Sequence, residues 1–477
     1  MYSIEDKLDK NKTNKILIAS SIIIAMGGFL FGYDSGVMGP SLIYVKPFFH
    51  LNSLDVAIVV AGQSLLAAVG ALIAGPVSDI FGRKKLLLVD AAIYGIFALT
   101  AALSISAIML ILSRSLIGLA IGADAAVATG YISEFSPSKT RGRLAITQQL
   151  MIFAGLTAAF WAGYILSRTA DWRLMFGLGV IPAVILIAFR FELPESPRWL
   201  LLKGRIPNVK KVLDKLGIHS TDEELMTESH RIIKERESIK LRNMFKEKPI
   251  LRMLFVIGIF GALSDLTGIN VILYYGPYIY KYIGLSGSRA ILNTAISESL
   301  GGIEYIFAFI LIDKWGRRGL GILGYAGMFG SFLIMILGIS YFDSHLVYIA
   351  SILIFVAITL FLLFFHLGPG GLVWVLRGEV IPTEYRSSGT GLISAFVYIA
   401  NFSIVFAFPI WKAAYGVFSF FIFETAMTLF AVIFVIAFLP ETKNISVDQM
   451  RELFSKKLSI LRKSQIESAV NLEGPKK

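Results

Sequence analysis

The sequence predicts an all-α membrane protein with twelve transmembrane helices in two pseudo-symmetric six-helix bundles. Hydrophobic residues make up 56% of the 477 residues and charged residues only 16%, far from the composition of a soluble domain. The apolar residues form continuous spans of about twenty residues or more, without alternation, which favours membrane helices over barrel strands. One set of polar motifs occurs twice in the same order, which indicates a duplicated half and is typical of transporters.

The apolar spans and the polar segments between them predict the organisation of the chain. The twelve spans are 16–42, 54–77, 84–106, 108–132, 144–167, 172–192, 250–282, 290–312, 319–341, 346–376, 387–410 and 415–438. The predicted regions are a cytoplasmic N-terminus (1–15), an N-terminal bundle (16–193), a linker (194–249), a C-terminal bundle (250–439) and a cytoplasmic tail (440–477). Helical spacing in the polar linker predicts short amphipathic helices that lie against the bundles.

The distribution of positive charge predicts the orientation. The net charge of +12 suggests a nucleic-acid partner at first, but most of the 45 Lys and Arg residues fall on one side of the predicted spans. With a cytoplasmic N-terminus, the loops on the far side hold only Lys46, Arg168, Arg173, Lys281, Arg289 and Lys412. Positive residues concentrate in cytoplasmic loops, so we expect both termini in the cytoplasm of a multi-pass protein of the cell membrane. The absence of cysteine excludes disulfides and thiol chemistry.

The repeated motifs fall at predicted cytoplasmic helix ends. GPVSDIFGRKK returns as ILIDKWGRRG, EFSPSKTR as EVIPTEYR, and Pro-Glu at 194–195 as Pro-Glu at 440–441. One interpretation is structural, because Asp-x-x-Gly-Arg forms a tight, positively charged turn. The other is a cytoplasmic gate, in which ion pairs across this face hold the halves together until the site opens inward. Single surface pairs contribute about 0–1 kcal/mol, but a network can bias a two-state equilibrium. The predicted gate residues are Asp79, Arg83, Glu134, Arg141, Glu195, Arg198, Asp313, Arg317, Glu379 and Arg386.

These motifs also resemble those of a known family. GPVSDIFGRKK, the repeated Glu and Arg pair, LPESPRWLL, TGINVILYYGP, GPGGLVW and FLPETK together resemble the signatures of the major facilitator superfamily, and of its sugar porters in particular. The resemblance covers residues 16–443, and the set is specific although each motif alone is weak. It implies a substrate site near the midplane between two halves that rock in alternating access.

Two ionisable residues within the spans are candidates for proton coupling. Asp34 on the first helix and Arg114 on the fourth both fall in the outer third of the bilayer, so their side chains can meet. A carboxylate beside an arginine stays ionised, and movement of the arginine away lets it take up a proton. The alternative is a static buried ion pair that fixes helix packing. In proton-coupled sugar porters the matching pair couples transport, and passive relatives lack the Asp, so the resemblance implies proton symport.

The seventh helix carries the strongest signal for a substrate site. Asn270 and Tyr274 are four residues apart and share one helical face, and an amide beside an aromatic ring suits a sugar. The resemblance implies that this stretch lines the sugar site and its outer gate, and that Trp374 stacks on the sugar. The predicted binding residues are Gln149, Asp265, Asn270, Tyr274, Tyr275, Trp374 and Asn401, with Asp124, Gln148 and Tyr398 as further candidates.

The chain departs from the sugar porter pattern at several of these positions. Ser264 and Asp265 replace two glutamines, so either Asp265 accepts sugar hydroxyls or the substrate is not an ordinary neutral hexose. Leu156 replaces a glutamine of the fifth helix, and Val397-Tyr398 replaces Gln-Trp of the eleventh. Asp124 resembles a residue of proton-coupled phosphate transporters. We expect packing roles for Glu298, Glu304, Glu424 and His366, and bends in the helices at Pro277 and at residues 368–371.

The sequence therefore predicts a secondary active transporter, with proton symport of a sugar, polyol or sugar-like metabolite by a rocker-switch mechanism. The alternative on the same fold is a proton-coupled symporter for an organic acid, phosphate or organic cation. A membrane sensor that binds sugar without moving it is a further alternative. Nothing resembles a P-loop, a catalytic triad or a metal cluster, so we expect no enzyme activity, no cofactor besides the proton gradient, and no bound metal. The expected partners are a small-molecule substrate, protons and the lipid bilayer, with no nucleic acid, for a protein that acts as a monomer.

Overall fold

The computed structural model describes residues 15–135, 138–238, 244–343, 347–382, 385–443, 445 and 447–455. Within these ranges the structure is helical and contains no strand, as the sequence predicts. The helices are α1 Lys15–Ala25, α2 Gly27–Phe48, α3 Ser53–Phe81, α4 Arg83–Ala102, α5 Ala107–Phe135, α6 Ser138–Leu166, α7 Trp172–Gly177, α8 Val180–Glu192, α9 Pro197–Leu202, α10 Ile206–Lys215, α11 Asp222–Ser238, α12 Lys248–Leu266, α13 Ile269–Tyr282, α14 Gly287–Asp343, α15 Val347–Leu367, α16 Pro369–Val380, α17 Arg386–Phe438 and α18 Val447–Ser455. Helices α1–α8 are called the N-terminal half below, and α12–α17 the C-terminal half.

Two of these helices contain sharp bends and so supply more than one membrane crossing. Gly316 in α14 has φ 76° and ψ 171°, and Gly416 in α17 has φ 81° and ψ 170°, a conformation that glycine adopts because it lacks Cβ. Ten described helical segments are long and apolar enough to cross a membrane, and Ser388–Phe438, which contains Gly416, is one of them. The part of α14 before Gly316 carries the predicted span 290–312, many of whose side chains lie outside the described residues.

Two crossings of the C-terminal half are interrupted rather than continuous. Helices α12 and α13 are separated at Gly268, which has the left-handed φ of 83°. Helices α15 and α16 are separated at Gly368, directly before Pro369, which confirms the bend predicted at residues 368–371. Helix α13 continues through Pro277 without unwinding, so the bend at this proline stays a prediction, and the interruption of this crossing lies nine residues earlier at Gly268. A proline inside a membrane helix is tolerated where neighbours satisfy the freed carbonyl.

Small residues bring the helices of the N-terminal half into close contact. Gly118 and Gly122 lie four residues apart on α5, and a Cβ on either would lie 2.0 Å from a backbone oxygen of α3, that of Gln63 or Ala67. Close backbone approach at small residues is the usual way membrane helices associate. Arg114 lies four residues before Gly118, so the same face of α5 directs it against α3.

The short helices α9, α10 and α11 lie in the predicted linker. Their apolar residues, including Trp199, Val209 and Leu213, form a buried cluster with Tyr131 and Ile132 at the end of α5. Amphipathic helices against the bundle were expected from the spacing of the apolar residues. The exact division of the chain into regions stays a prediction.

Candidate functional site

Asp34 and Arg114 contact each other in the interior of the N-terminal half. Arg114 Nη1 lies 3.4 Å from Asp34 Oδ1, and the side chains of Arg114 and Asp34 are 0% and 3% exposed, respectively. The guanidinium also donates from Nη2 to Gln63 Oε1 at 2.5 Å and from Nε to the Val59 carbonyl at 3.3 Å. Helix α3 thus holds Arg114 from one side while Asp34 on α2 approaches from another. The structure therefore brings the two predicted proton-coupling residues together.

Two features of this pair bear on its chemistry. Asp34 Oδ2 has no hydrogen-bond partner among the described residues, so only one oxygen of the carboxylate is occupied. Gln63, which sequence reasoning missed, is buried and fixes the guanidinium. The signal was present, because a glutamine within an otherwise apolar span requires a polar partner.

The interruption of the seventh crossing places further predicted residues side by side. Asp265 lies at the end of α12 and Asn270 at the start of α13, and Asn270 Nδ2 donates to Asp265 Oδ1 at 2.7 Å across the break at Gly268. Tyr274 lies one turn further along α13 and is close enough to Asp34, Arg114 and Asp265 to interact with each electrostatically. One predicted substrate residue, Tyr274, therefore lies near the predicted proton-coupling pair.

Several predicted binding residues present buried polar atoms that have no partner among the described residues. These atoms are Gln149 Nε2 on α6, and Tyr398 Oη and Asn401 Oδ1 on α17. All three residues are less than 7% exposed. Buried polar groups are normally hydrogen-bonded, and unsatisfied ones require an explanation such as an absent ligand or water. Donors and an acceptor contributed by both halves are what a polyhydroxylated ligand between the halves requires.

The remaining predicted binding residues are arranged differently. The Tyr275 hydroxyl donates to the Val405 carbonyl at 3.1 Å and its ring packs on Phe408, so its polar atom is already occupied. Trp374 on α16 is partly buried, and the guanidinium of Arg377 lies 3.8 Å from its ring centroid. Gln148 is buried on α6 next to Gln149, where its carbonyl packs against Gly28 of α2.

Asp124 belongs to a buried ion cluster of the N-terminal half. Arg190 Nη2 donates to both oxygens of Asp124, at 3.0 and 2.8 Å, and Arg190 Nη1 donates to Asp90 Oδ1 at 2.8 Å and to the Leu87 carbonyl. The arginine is completely buried. Neither Asp90 nor Arg190 was expected to take part in a site. The guanidinium therefore already binds the carboxylate of Asp124, the residue that the sequence suggested as a further binding candidate.

The repeated motifs of the N-terminal half form one network at the end of the bundle. Arg83 donates to Asp79 at 2.8 Å and to Glu134 at 3.1 Å. Glu195 Oε1 accepts from the backbone N–H groups of Arg83 and Lys84 at 2.9 and 3.2 Å, so its carboxylate caps the start of α4. Ser196 closes the network by donating to Glu134.

The C-terminal half repeats this network with the corresponding residues. Arg317 donates to both oxygens of Glu379, at 3.2 and 2.6 Å. Glu441 accepts from the backbone N–H groups of Arg317 and Arg318 at 2.9 and 3.1 Å, and Thr442 donates to Glu379 at 2.9 Å. The same chemistry in the same arrangement shows that the duplicated motifs build duplicated structure.

Each ion pair described at this end joins residues of the same half. The structure thus shows how the motifs brace each bundle, and the pairing across the cytoplasmic face stays a prediction. Arg198 is half-buried at the start of α9. The side chains of Arg141, Asp313 and Arg386 lie outside the described residues, so their predicted part in the gate stays untested.

The two halves are joined at the opposite end of the molecule. The Tyr278 hydroxyl of α13 donates to the Leu42 carbonyl of α2 at 3.3 Å. Ser167 at the end of α6 donates to Ser288 of α14 at 2.9 Å. These bonds join α2 to α13 and α6 to α14 at the end that lies away from the motif turns.

Three further ionisable residues are buried in the C-terminal half. Glu298 on α14 and Glu424 on α17 are both fully buried, and their carboxyl oxygens have no partner among the described residues. Glu424 lies against the interruption of the seventh crossing, since a Cβ on Gly268 would lie 3.0 Å from its Cδ. His366 Nδ1 lies 3.0 Å from the Gly301 carbonyl, as expected for a core histidine. Glu304 lies outside the described side chains.

Two helical bundles with repeated motif turns at one end and buried polar residues in both halves are typical of membrane transport proteins. A family model described as "Sugar (and other) transporter" matches residues 20–454. The glucose transporter GlcP of Staphylococcus epidermidis is 33% identical over 92% of this chain and 97% of its own. The arabinose-proton symporter of Bacillus subtilis is 31% identical over 92% of this chain and 95% of its own. The chain belongs to the sugar (and other) transporter family.

A solved structure supports the fold independently. The xylose transporter XylE from E. coli, in a partially occluded inward-open conformation, superposes with a TM-score of 0.77 over 91% of this chain and 100% of that chain, at 23% identity. The predicted major facilitator fold and the predicted family are both confirmed. The protein is accordingly a membrane transporter and not an enzyme.

Proposed function

We propose that the protein is a secondary active transporter that couples the movement of a sugar to that of protons by alternating access. The observation that carries the proposal is the buried Asp34–Arg114 pair, which occurs together with buried polar atoms of both halves that have no partner among the described residues. Among the relatives, one is named for arabinose and protons together, and others are named for glucose and D-xylose. The family includes other substrates, so the residues of this chain decide the assignment.

In this mechanism Asp34 carries the proton. Its carboxylate is held by Arg114 through one oxygen only, while Gln63 and Val59 retain the guanidinium on α3. A small displacement of α2 relative to α5 removes the cation from Asp34 and leaves a carboxylate in an apolar interior. That environment strongly favours the protonated form. Substrate binding next to Tyr274 shifts the same helices, which links occupancy of the site to the protonation of Asp34.

The sugar binds between the halves in this proposal. Gln149 offers a donor from the N-terminal half, while Tyr398 and Asn401 offer a hydroxyl and an acceptor from the C-terminal half. Asp265, already aligned by Asn270, accepts from sugar hydroxyls, and Trp374 provides an apolar face for the ring. Because both halves contribute, a bound sugar stabilises the state in which they approach each other.

The gating follows from the two ends of the molecule. The bonds of Leu42 with Tyr278 and of Ser167 with Ser288 break when the far end opens, while the motif networks keep each half rigid. The predicted orientation places the motif turns and both termini in the cytoplasm. The proposal needs no cofactor besides the proton gradient, and it requires one copy of the chain.

Transport in proteoliposomes tests this function. Purified protein is reconstituted, and uptake of labelled glucose, D-xylose and L-arabinose is measured with and without an imposed inward proton gradient. We expect accumulation of at least one of these sugars or its derivatives that depends on the gradient, and counterflow that does not. A protein that binds these compounds but shows no counterflow would be a sensor, and the transport proposal would be wrong.

Substitution of Asp265 tests whether this residue lines the site. Asp265→Gln restores the amide typical of sugar porters, so we expect stronger competition by neutral hexoses in the uptake assay. Thr267→Val two residues further on is the control, because the Thr267 hydroxyl donates to the Leu263 and Ser264 carbonyls of its own helix. An unchanged selectivity profile in Asp265→Gln would show that the carboxylate does not face the substrate.

A further inference from the structure

Arg377 is a buried cation that neither the proton-coupling pair nor the motif networks use. It lies on α16, is 3% exposed, and stacks on the ring of Trp374 at 3.8 Å. Its Nη1 donates to the Ser394 hydroxyl. Its Nε and Nη2 have no hydrogen-bond partner among the residues that the structure describes. One edge of the guanidinium is therefore occupied by protein, and the other edge presents two donors that no described residue accepts.

Two other arginines of the described chain are completely buried, and each of them contacts a buried carboxylate. Arg114 contacts the carboxylate of Asp34, and Arg190 contacts those of Asp90 and Asp124. A charged group buried without a counter-ion is costly, and such residues in membrane proteins usually mark a ligand or ion pathway. The stack on Trp374 offsets only part of that cost.

The charged groups around Arg377 do not supply the missing anion in this structure. Tyr398 is the ionisable side chain that interacts with it electrostatically among the described residues. Asp265, which shares Tyr398 as a neighbour, is bound by Asn270. Asp124, which also lies within reach of Tyr398, is bound by Arg190 through both oxygens.

The location of Arg377 puts it at the edge of the proposed sugar site. Trp374 is the residue expected to stack on the sugar, and the guanidinium lies directly against that ring. Tyr398, whose hydroxyl has no partner in the described part of the chain, interacts with Arg377 on one side and with Asp265 and Tyr274 on the other. Arg377 and Tyr398 are therefore interacting side chains that both present buried polar atoms without a partner among the described residues.

We propose that the preferred substrate is an acidic monosaccharide, a sugar that carries one carboxylate, and that Arg377 binds this carboxylate. The proposal rests on the proposed function and specifies its substrate class. The Nε and Nη2 donors form the side-on edge that binds a planar carboxylate in a bidentate manner, one of the strongest hydrogen-bonded pairs in proteins. A single guanidinium matches the charge of a carboxylate better than that of a doubly charged phosphate ester. Asp265, Asn401 and Gln149 remain for the hydroxyl groups.

Matched pairs of neutral and acidic sugars test this inference. Counterflow of labelled substrate in proteoliposomes is competed with glucose against glucuronate and with galactose against galacturonate, at equal concentrations. For the wild type we expect each acid to compete about 10- to 100-fold more strongly than its neutral partner, the range expected for a charge-assisted bidentate contact. In Arg377→Met this advantage is lost, so that each acid competes no more strongly than its neutral partner.

Two further variants make the outcome specific. Arg173→Met is the matched control, because Arg173 also stacks on a tryptophan ring, that of Trp172 at 4.2 Å, but lies outside the site. Arg377→Lys keeps the charge and loses the bidentate geometry, so an intermediate loss is expected, and it replaces Arg377→Met if that variant does not fold. Thermal stabilisation of the detergent-purified protein by glucuronate, present in the wild type and absent in the Arg377 variant, is the second readout.

The results separate this inference from the proposed function. Proton-driven transport of neutral sugars, with no advantage for the acids and no selective effect of Arg377→Met or Arg377→Lys, would overturn the acidic substrate and leave sugar symport intact. An equal loss of acidic and neutral competition would also overturn it, because Arg377 would then be a packing residue. Absence of counterflow with every sugar of both classes would refute sugar transport itself.

Discussion

The two halves of the molecule differ in how their buried charges are paired. In the N-terminal half, Asp34 contacts Arg114, while Asp90 and Asp124 both contact Arg190. Each of these buried acids has a buried guanidinium within 3.4 Å. Duplicated halves with similar motif networks could be expected to share this feature, yet they do not.

In the C-terminal half the buried ionisable groups have no partner of opposite charge among the described residues. Among the described residues, Glu298 and Glu424 have no partner, Arg377 has no carboxylate, and Asp265 is bound by amide and hydroxyl donors rather than by a cation. Unpaired ionised groups in a membrane interior are costly, so these groups are either neutral or reserved for a ligand. The comparison suggests that the N-terminal half responds to protons, whereas the C-terminal half recognises the substrate.

The largest effect is expected for Asp34. Asp34→Asn removes the titrating group and keeps the shape, so we expect proton-driven accumulation to be abolished while counterflow of the same substrate continues. Uptake with and without a proton gradient measures the first property and counterflow the second. Retention of gradient-driven accumulation in this variant would break the assignment of proton coupling to the N-terminal half.

Arg190→Met tests the pairing in the N-terminal half directly. Removal of the guanidinium leaves Asp90 and Asp124 buried without a cation, and breaking a buried pair in this way costs about 3–5 kcal/mol. We expect a clear loss of thermal stability in detergent, measured by unfolding of the purified protein. The triple variant in which both acids are also changed to Asn should recover much of the loss, since no unpaired charge then remains. A stability of Arg190→Met equal to that of the wild type would show that the cluster is not needed.

The glycines of the motif turns test a feature that the two halves share, the carboxylate that caps a helix in each motif network. Gly82 and Gly316 both have positive φ, and a Cβ would lie 2.3 or 2.2 Å from the carboxylate of Glu195 or Glu441. Alanine at either position combines backbone strain of about 1–2 kcal/mol with displacement of the capping carboxylate. Gly416→Ala is the control, because Gly416 has φ 81° but open space around it. We expect a larger loss of unfolding temperature at Gly82 and Gly316 than at Gly416, and equal losses at all three would show that the caps contribute nothing.

The smallest effect is expected for Glu298 and Glu424, the buried acids of the C-terminal half that have no partner among the described residues. Glu424→Gln is nearly isosteric with a protonated glutamic acid, so the free energy of unfolding should change by less than about 1 kcal/mol. Thermal unfolding at neutral pH checks this, with Glu298→Gln as the parallel variant. A loss as large as that of Arg190→Met would mean that Glu424 is ionised and has a cationic partner, and the contrast between the halves would then be weaker.

Much of the fold could be predicted because it depends on local and repeated features. Long apolar spans, Gly-Pro at 368–369 and the duplicated Arg and Glu motifs all predicted structure that is observed. The interruption of the seventh crossing at Gly268 was not predicted. Pro277 was the more obvious helix breaker, but its helix continues, and Gly268 adopts the left-handed conformation instead. The effect of a proline can be anticipated from the sequence, because it removes one backbone hydrogen bond of its own helix. The packing of Glu424 against the backbone at Gly268 could not be anticipated, because Glu424 lies on a helix far away in the sequence.

Hydropathy and repetition are properties of the chain alone, so they were enough to predict a membrane protein of two related helical bundles. The sequence also identified Asp34 and Arg114 as a pair, because only a partner of opposite charge makes either residue tolerable in an apolar span. The partners of the buried charges became known from the folded chain: Gln63 binds Arg114, Arg190 binds Asp124, and Arg377 contacts no carboxylate among the described residues. These contacts join different helices across the bundle, and their distances depend on how the helices pack, which no spacing within one span specifies.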